Sequence, residues 1–157
     1  EPESREFLGG LAPSRLAPRA GLFHASPRDP VWEYVLSADA AEAALAACDK
    51  PVVLVGHTHV ALAVLEEGAG SPRSGTISGG LAAAGREIDL AAGRWLLNPG
   101  SVGQPRDGDP RAAWLLLDFR AGTARFHRTA YDIAATQAEI RERGLPDNLA
   151  RRLDLGA

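Results

Sequence analysis

The feature that most constrains the fold is a short apolar run from Val52 to Val55. Gly56 ends this run, and His57-Thr58-His59 comes directly after it. Such a run of branched apolar residues is typical of a buried strand, and Pro51 stops the Ala-rich segment before it. Residues at i and i+2 point about 200° apart on a helix but to the same side of an extended segment. We therefore predict a strand whose tip presents both imidazoles to one point, with Gly56 permitting a close backbone approach.

The remaining pattern predicts a mixed α/β (α+β) chain with a sheet built from sequential strands. Ser37 is a candidate helix N-cap, Gly144 a helix stop, and Phe7 and Leu8 are expected to pack inward from a first short helix. Residues 68–80 are predicted to form a loop or a wide hairpin. Strands are expected over 21–25, 52–55, 61–67, 86–90, 94–97, 112–118 and 123–130, and helices over 3–8, 37–49, 132–144 and 145–153.

Composition excludes several classes of protein. Hydrophobic residues make up 45% and charged residues 24%, as in ordinary globular chains, and the net charge of -3 favours neither nucleic acid nor an anionic membrane as a partner. The single Cys48 permits no internal disulfide and indicates a reducing, cytoplasmic location. Apolar runs are far shorter than the ~18 residues that cross a bilayer. Because the chain lacks Met and begins with Glu1, we expect it to be a portion of a longer protein.

Three histidines are candidate metal ligands. His57 and His59 follow a buried strand, as suits imidazoles bound to one or two ions; hydrogen-bonded loop histidines are the alternative. His24 ends another predicted strand, and taken alone it is a structural residue, but it repeats the strand-tip position. His127 lies in the middle of a strand and is predicted to have no functional role.

A second dense segment begins at Asn98, where Asn-Pro-Gly predicts a tight turn. Its small residues and free amides suit an oxyanion or phosphate, with Ser101 as a contact. Arg106 is either a bidentate phosphate clamp or the partner of a neighbouring loop Asp, at 107 or 109. Arg28 stands in a second Pro-Arg-Asp triplet, a repetition that chance explains in an Arg-rich chain, and is the third candidate.

Aromatic residues follow the His24 loop. Trp32 and Tyr34 would give a stacking surface to a nucleotide-binding domain, but the alternation in "VWEYV" favours core packing.

Together, "HASPRDP" at His24, "GHTH" at Gly56 and "NPGSVGQPRDGDPRAAW" at Asn98 resemble the C-terminal half of calcineurin-like metallophosphoesterases, in the small bacterial phosphoesterase branch. The likeness runs from Glu3 to Leu155 and includes "YDI" and "GLP". It implies a four-layer αββα sandwich, with residues 1–157 as the C-terminal portion of a single domain whose N-terminal half is absent.

The resemblance also implies two divalent metal ions. His24 and His57 would share one ion and His59 would bind its neighbour, while the remaining ligands and the catalytic His belong to the missing half. No catalytic residue is therefore expected in this chain. Manganese is the expected metal, with iron, zinc and nickel as alternatives.

The implied function is hydrolysis of phosphomonoesters, phosphodiesters or dinucleoside polyphosphates by a hydroxide activated at the dinuclear centre. The partner would be a small phosphorylated substrate, nucleotides included. A catalytically inactive binding scaffold of the same fold is the alternative. We expect the isolated chain to be inactive, and strands 52–55 and 115–117 to lose part of their apolar cover.

Overall fold

The computed structural model describes residues 2–68 and 75–157, which form a mixed α/β chain as predicted. In chain order the elements are α1 (Pro2–Gly9), β1 (Ser14–Leu16), β2 (Ala20–Phe23), α2 (Ala38–Ala46), β3 (Val52–Leu54), β4 (Ala61–Glu67), β5 (Thr76–Leu81), β6 (Glu87–Asp89), β7 (Arg94–Pro99), β8 (Ala112–Asp118), β9 (Thr123–Thr129), α3 (Ile133–Glu142), α4 (Asp147–Arg151) and a short 3₁₀ helix (Arg152–Asp154).

The strands form two sheets, one ordered β1-β2-β3-β7-β4-β5 and one ordered β6-β9-β8. Sequential neighbours pair in β1-β2, β2-β3, β4-β5 and β8-β9, although no strand was predicted at β1, and β7 inserts between β3 and β4. The reason is that β7 is apolar on both faces: Leu96 packs toward one side of the sheet and Trp95 and Leu97 toward the other. Such a strand belongs at the centre of a sheet.

Two apolar cores lie on opposite faces of the six-stranded sheet. One joins it to the three-stranded sheet through residues such as Val52 and Phe126, and the other joins it to α2 through Val53 and Leu45. Residues Val52, Val53 and Val55 are 2%, 0% and 3% exposed. The predicted loss of cover over this strand is therefore wrong, because α2 and the second sheet cover both its faces.

Helix α1 forms where it was predicted, but its predicted inward packing is wrong. Phe7 and Leu8 are 67% and 62% exposed, and the helix buries none of its residues. The following strand, β1, is exposed throughout. The described part of the chain therefore provides no layer against which this end packs.

Local signals place most other element ends. Ser37 caps α2 by accepting a hydrogen bond from the Ala40 amide at 3.2 Å, and Asp132 caps α3 in the same way. Gly144 ends the α3 region with φ +68, a conformation that favours glycine. In the predicted 68–80 loop, β5 begins at Thr76 and pairs with β4, which supports the wide-hairpin interpretation; positions 69–74 lie outside the described residues.

No helix in the described ranges is both long enough and apolar enough to cross a membrane.

Arg94 links β7 to the end of α2. Its Nη2 donates to the Leu45 carbonyl at 2.7 Å and to the Cys48 carbonyl, and its Nη1 pairs with Glu66. The Arg94 and Glu66 side chains are only 21% and 11% exposed. The guanidinium thus satisfies helix-end carbonyls that have no partner within the helix.

We predict that Arg94→Met lowers the free energy of unfolding by about 2–4 kcal/mol, because Glu66 would remain buried without its counter-charge. The matched control is Arg143→Met, since Arg143 is 74% exposed in a helical pair with Glu139, and we expect that change to cost under about 0.5 kcal/mol. Urea unfolding measures both. Equal effects would show that the Arg94 contacts do not stabilise the fold.

Candidate metal centre

Parallel pairing brings the candidate residues to one edge of the six-stranded sheet. Strands β2, β3 and β7 run parallel, and β4 runs antiparallel to β7 with Ala61 opposite Pro99. His24 follows β2 and the His57–His59 segment lies between β3 and β4. Ends of adjacent parallel strands meet at one edge, where α/β sheets bind ligands.

Gly56 allows two of these strand ends to approach closely. Its amide donates to the His24 carbonyl at 3.0 Å. A Cβ at position 56 would lie 3.0 Å from that same oxygen, tighter than nearly all real Cβ contacts. The predicted close approach at this glycine is confirmed.

The structure brings His24 and His57 together. Nε2 of His24 lies 3.0 Å from Nδ1 of His57, and the ring centroids are 4.8 Å apart. Without a metal, one ring donates a hydrogen bond to the other. These facing nitrogens are the atoms that both rings would offer to a shared ion.

The predicted extended conformation of the His57–His59 segment is wrong. His57 and His59 have φ values of 60 and 61, in the left-handed region, and the Thr58 amide donates to the Gly56 carbonyl at 2.6 Å. The chain must reverse here because β3 and β4 lie on either side of β7 and run in opposite directions. His57 therefore faces His24, whereas His59 faces the carbonyl of Gln104.

Asn98 holds this turn in place. Its side chain is fully buried and donates from Nδ2 to the Gly56 carbonyl at 3.0 Å and to Thr58 Oγ1 at 2.9 Å. Its Oδ1 accepts from the Gly100 amide at 2.9 Å. The predicted packing of the Asn98 turn beside the histidine loop is confirmed, and positive φ at two non-glycine residues is maintained by these contacts.

The orientation of His59 is fixed by one hydrogen bond. Its Nδ1 donates to the Gln104 carbonyl at 2.8 Å, which leaves Nε2 with its lone pair. The Arg106 amide donates to the His59 carbonyl at 3.0 Å, so the 104–106 loop contacts both the ring and the backbone of this residue. Metal-binding imidazoles commonly have this kind of partner on the second ring nitrogen.

Both turn histidines favour the neutral form. Burial and the nearby charges of His24, His59 and Arg106 lower the pKa of His57, against an opposing effect of Asp29. Burial also lowers the pKa of His59; the hydrogen bond to Gln104 opposes this, and the Arg106 charge adds to it. A neutral imidazole is the form that binds metal.

The predicted pairing of Arg106 with a loop Asp is wrong. Asp107 pairs with Arg128 across to β9, and Asp109 pairs with Arg111. Arg106 instead donates from Nη2 to Gln104 Oε1 at 3.0 Å, and its buried Nε has no hydrogen-bond partner within the described ranges. Its charge is close enough to lower the pKa of His57 and His59.

The other two candidate substrate contacts already have protein partners. Ser101 Oγ accepts a hydrogen bond from the Gln104 amide at 2.9 Å and so closes the loop. Arg28 is half-exposed, with its guanidinium 3.5 Å from Glu33 Oε1. Of the predicted anion-binding residues, Arg106 is the one whose charge acts on the histidines.

The predicted core packing of Trp32 and Tyr34 is wrong. They are 73% and 50% exposed, and their ring centroids lie 6.4 Å and 4.4 Å from that of His57. Val35 is buried instead, at 2% exposure. From Trp32 onward the side chains do alternate, but Glu33 and Val35 face the protein whereas the aromatic residues face His57.

His127 lies apart from these residues on β9 and stacks on Trp114, with centroids 4.1 Å apart.

The donor set fits a metal in kind but is incomplete. Imidazole nitrogens suit divalent transition metals, and His24, His57 and His59 offer three of them at one sheet edge. Within residues 2–68 and 75–157, however, no group of three or more His, Cys, Asp or Glu side chains is arranged to hold an ion. If these imidazoles bind a metal, they supply only part of its ligand set.

Comparisons with known proteins identify the fold and the family of the chain. The family model described as the calcineurin-like phosphoesterase superfamily domain matches residues 15–122. The crystal structure of a metallophosphoesterase from Sphaerobacter thermophilus superposes with a TM-score of 0.87 at 40% identity, covering 100% of this chain and 64% of that one. A hypothetical protein from Pyrococcus horikoshii shares the fold, with a TM-score of 0.64 at 21% identity over 99% of this chain and 55% of its own.

An uncharacterized protein of Methanocaldococcus jannaschii is 34% identical over 134 residues, which is 85% of this chain and 50% of the relative. The chain thus spans about half the length of this curated relative.

We predict that Asn98→Ala lowers the free energy of unfolding by about 1–3 kcal/mol, because it leaves buried partners in the histidine turn unsatisfied. The matched control is Asn148→Ala, since Asn148 is exposed on α4, and it should change stability by under about 0.5 kcal/mol. Urea unfolding of the purified variants tests this. Similar stability of the two variants would contradict the role given to Asn98.

A second prediction concerns protonation. In the metal-free protein, NMR titration should give pKa values for His57 and His59 below the ordinary value of about 6.5. Arg106→Gln should raise both values because it removes a nearby positive charge, whereas Arg111→Gln should leave them unchanged. Values at or above the ordinary pKa in the unaltered protein would refute the electrostatic description.

Proposed function

Because the chain belongs to the calcineurin-like phosphoesterase superfamily, we propose that it contributes part of the active site of a metal-dependent phosphoesterase. The observation that carries the proposal is the 3.0 Å apposition of His24 Nε2 and His57 Nδ1 at the ligand-binding edge of the sheet. Two imidazoles at adjacent strand ends, beside a turn that a buried asparagine supports, suit a shared cation.

In this proposal His24 and His57 bind one divalent ion, and Nε2 of His59 binds a second. The ions would lower the pKa of a bound water and offset charge on the phosphoryl oxygens. Manganese is the metal we expect, with iron, zinc and nickel as alternatives. The chain's own contribution is to hold the imidazoles neutral and correctly oriented through Asn98 and Gln104.

Arg106 is the proposed phosphate contact. A guanidinium can donate two parallel hydrogen bonds to phosphoryl oxygens, and Arg106 lies close enough to His57 and His59 to affect their protonation. Its buried Nε has no acceptor among residues 2–68 and 75–157; an unsatisfied buried donor is costly, and an anion bound beside the guanidinium would reduce that cost.

We further propose that the active enzyme is a longer polypeptide in which residues 1–157 form the C-terminal portion of one domain. The incomplete ligand set supports this, as does the coverage of 64% of the Sphaerobacter thermophilus protein. The general acid and the remaining ligands would then come from outside this chain. Proposed substrates are phosphomonoesters, phosphodiesters and dinucleoside polyphosphates.

The test is metal-dependent hydrolysis of bis(p-nitrophenyl) phosphate by the full-length protein that carries this chain, with manganese added. His57→Ala should lower kcat/KM by roughly 100-fold or more, since loss of even an outer hydrogen-bond partner typically costs 10–100-fold. His127→Ala is the matched control, because His127 stacks on Trp114 instead of facing the other histidines, and it should retain activity.

A full-length protein that binds manganese but hydrolyses no phosphoester would contradict the proposal and favour a binding scaffold. Equal activity of the His57 and His127 variants would remove His57 from the site.

A further inference from the structure

Three apolar side chains form an exposed strip beside the candidate metal centre. The aromatic strip consists of Trp32, Tyr34 and Leu36, which are 73%, 50% and 59% exposed. The two intervening residues, Glu33 and Val35, face the protein. Exposed aromatic residues grouped in this way are uncommon on a surface that binds nothing.

The strip is held in position by the residues between its members and by the loop before it. Val35 is 2% exposed in the core that packs against α2. Glu33 accepts a hydrogen bond from the buried Ser26, and Asp29 Oδ1 accepts from the Val31 and Trp32 amides at 3.0 and 3.1 Å. The backbone that carries the aromatic rings is therefore anchored before a ligand binds, which lowers the entropic cost of binding.

One end of the strip touches the metal centre. The Tyr34 ring lies 4.4 Å from the His57 ring at an interplanar angle of 33°, and Trp32 meets the same imidazole edge-on. The other end reaches a cavity of ≈ 330 Å³ whose lining includes Leu36, Val60 and Leu81. Val60 directly follows His59, so the lining of this cavity includes the residue next to a candidate ligand.

We propose that the aromatic strip binds a planar aromatic group that is attached to the phosphoryl group of the substrate. The inference rests on the proposed function, because the histidines and Arg106 would hold the phosphoryl end. The adjoining surface offers flat, apolar faces, and aromatic rings stack on such faces whatever their hydrogen-bonding groups. The ring would be either the aryl group of an aryl phosphoester or a nucleobase.

Phosphonates test this without hydrolysis, because their P–C bond is not cleaved. Calorimetry on the metal-loaded full-length protein would compare phenylphosphonate with methylphosphonate, and the 5′-phosphonate analogue of adenosine with that of ribose. In at least one of the two pairs, the ring-bearing ligand should bind at least about fivefold more tightly than the ringless ligand. A fivefold difference corresponds to the lower end of the range for base–aromatic stacking. The pair with the larger advantage identifies an aryl or a nucleobase ring.

Trp32→Ala should reduce the advantage of the ring-bearing ligand to twofold or less, and Tyr34→Phe should preserve it because the ring remains. Trp114→Ala is the matched control, since Trp114 stacks on His127 on the second sheet, and it should leave the advantage intact. Circular dichroism would verify that each variant is folded.

Equal binding of ring-bearing and ringless ligands would overturn the inference, as would an advantage that survives the double change Trp32→Ala and Tyr34→Ala. Ring preference without any hydrolysis would refute the phosphoesterase proposal alone. Hydrolysis without ring preference would refute the aromatic strip alone.

Discussion

The candidate site depends on the hydrogen bonds that the buried side chain of Asn98 makes to the histidine turn. It joins the end of β7 to the turn after β3, with bonds of 3.0 Å to the Gly56 carbonyl and 2.9 Å to Thr58 Oγ1. These bonds offset the strain of the left-handed conformation at His57 and His59, which flank Thr58. The backbone turn directs His57 toward His24 and His59 toward Gln104. A single neutral amide thus holds the turn that positions His57 and His59.

Sequence alone predicted much of this arrangement where the signal is local. The apolar run from Val52, the Ser37 cap and the α3 helix stop were read from neighbouring residues and are confirmed. The histidine motifs could be placed at strand ends because an apolar run precedes His24 and another precedes His57. Their shared sheet edge then follows from the parallel pairing of β2 and β3.

The rest depended on contacts between residues far apart in sequence. The left-handed turn at His57 is held by a residue about 40 positions away, which no local pattern reveals. The Asp107 carboxylate pairs with Arg128 on β9 instead of the adjacent Arg106, because that partner is delivered by the second sheet. Trp32 and Tyr34 face outward because Val35, on the opposite face of the segment, packs into the core under α2. Alternation gives two faces but does not say which is inside.

The most direct test of metal binding at this edge is anomalous diffraction from crystals of the full-length protein grown with manganese. Two peaks are expected, one bound by His24 Nε2 and His57 Nδ1 and a second by His59 Nε2, with distances of about 2.0–2.3 Å. In that state the hydrogen bond now joining His24 to His57 would be replaced by bonds to the shared ion. Absence of an anomalous peak at this edge, with the His24–His57 hydrogen bond intact at saturating manganese, would contradict the assignment of a metal centre.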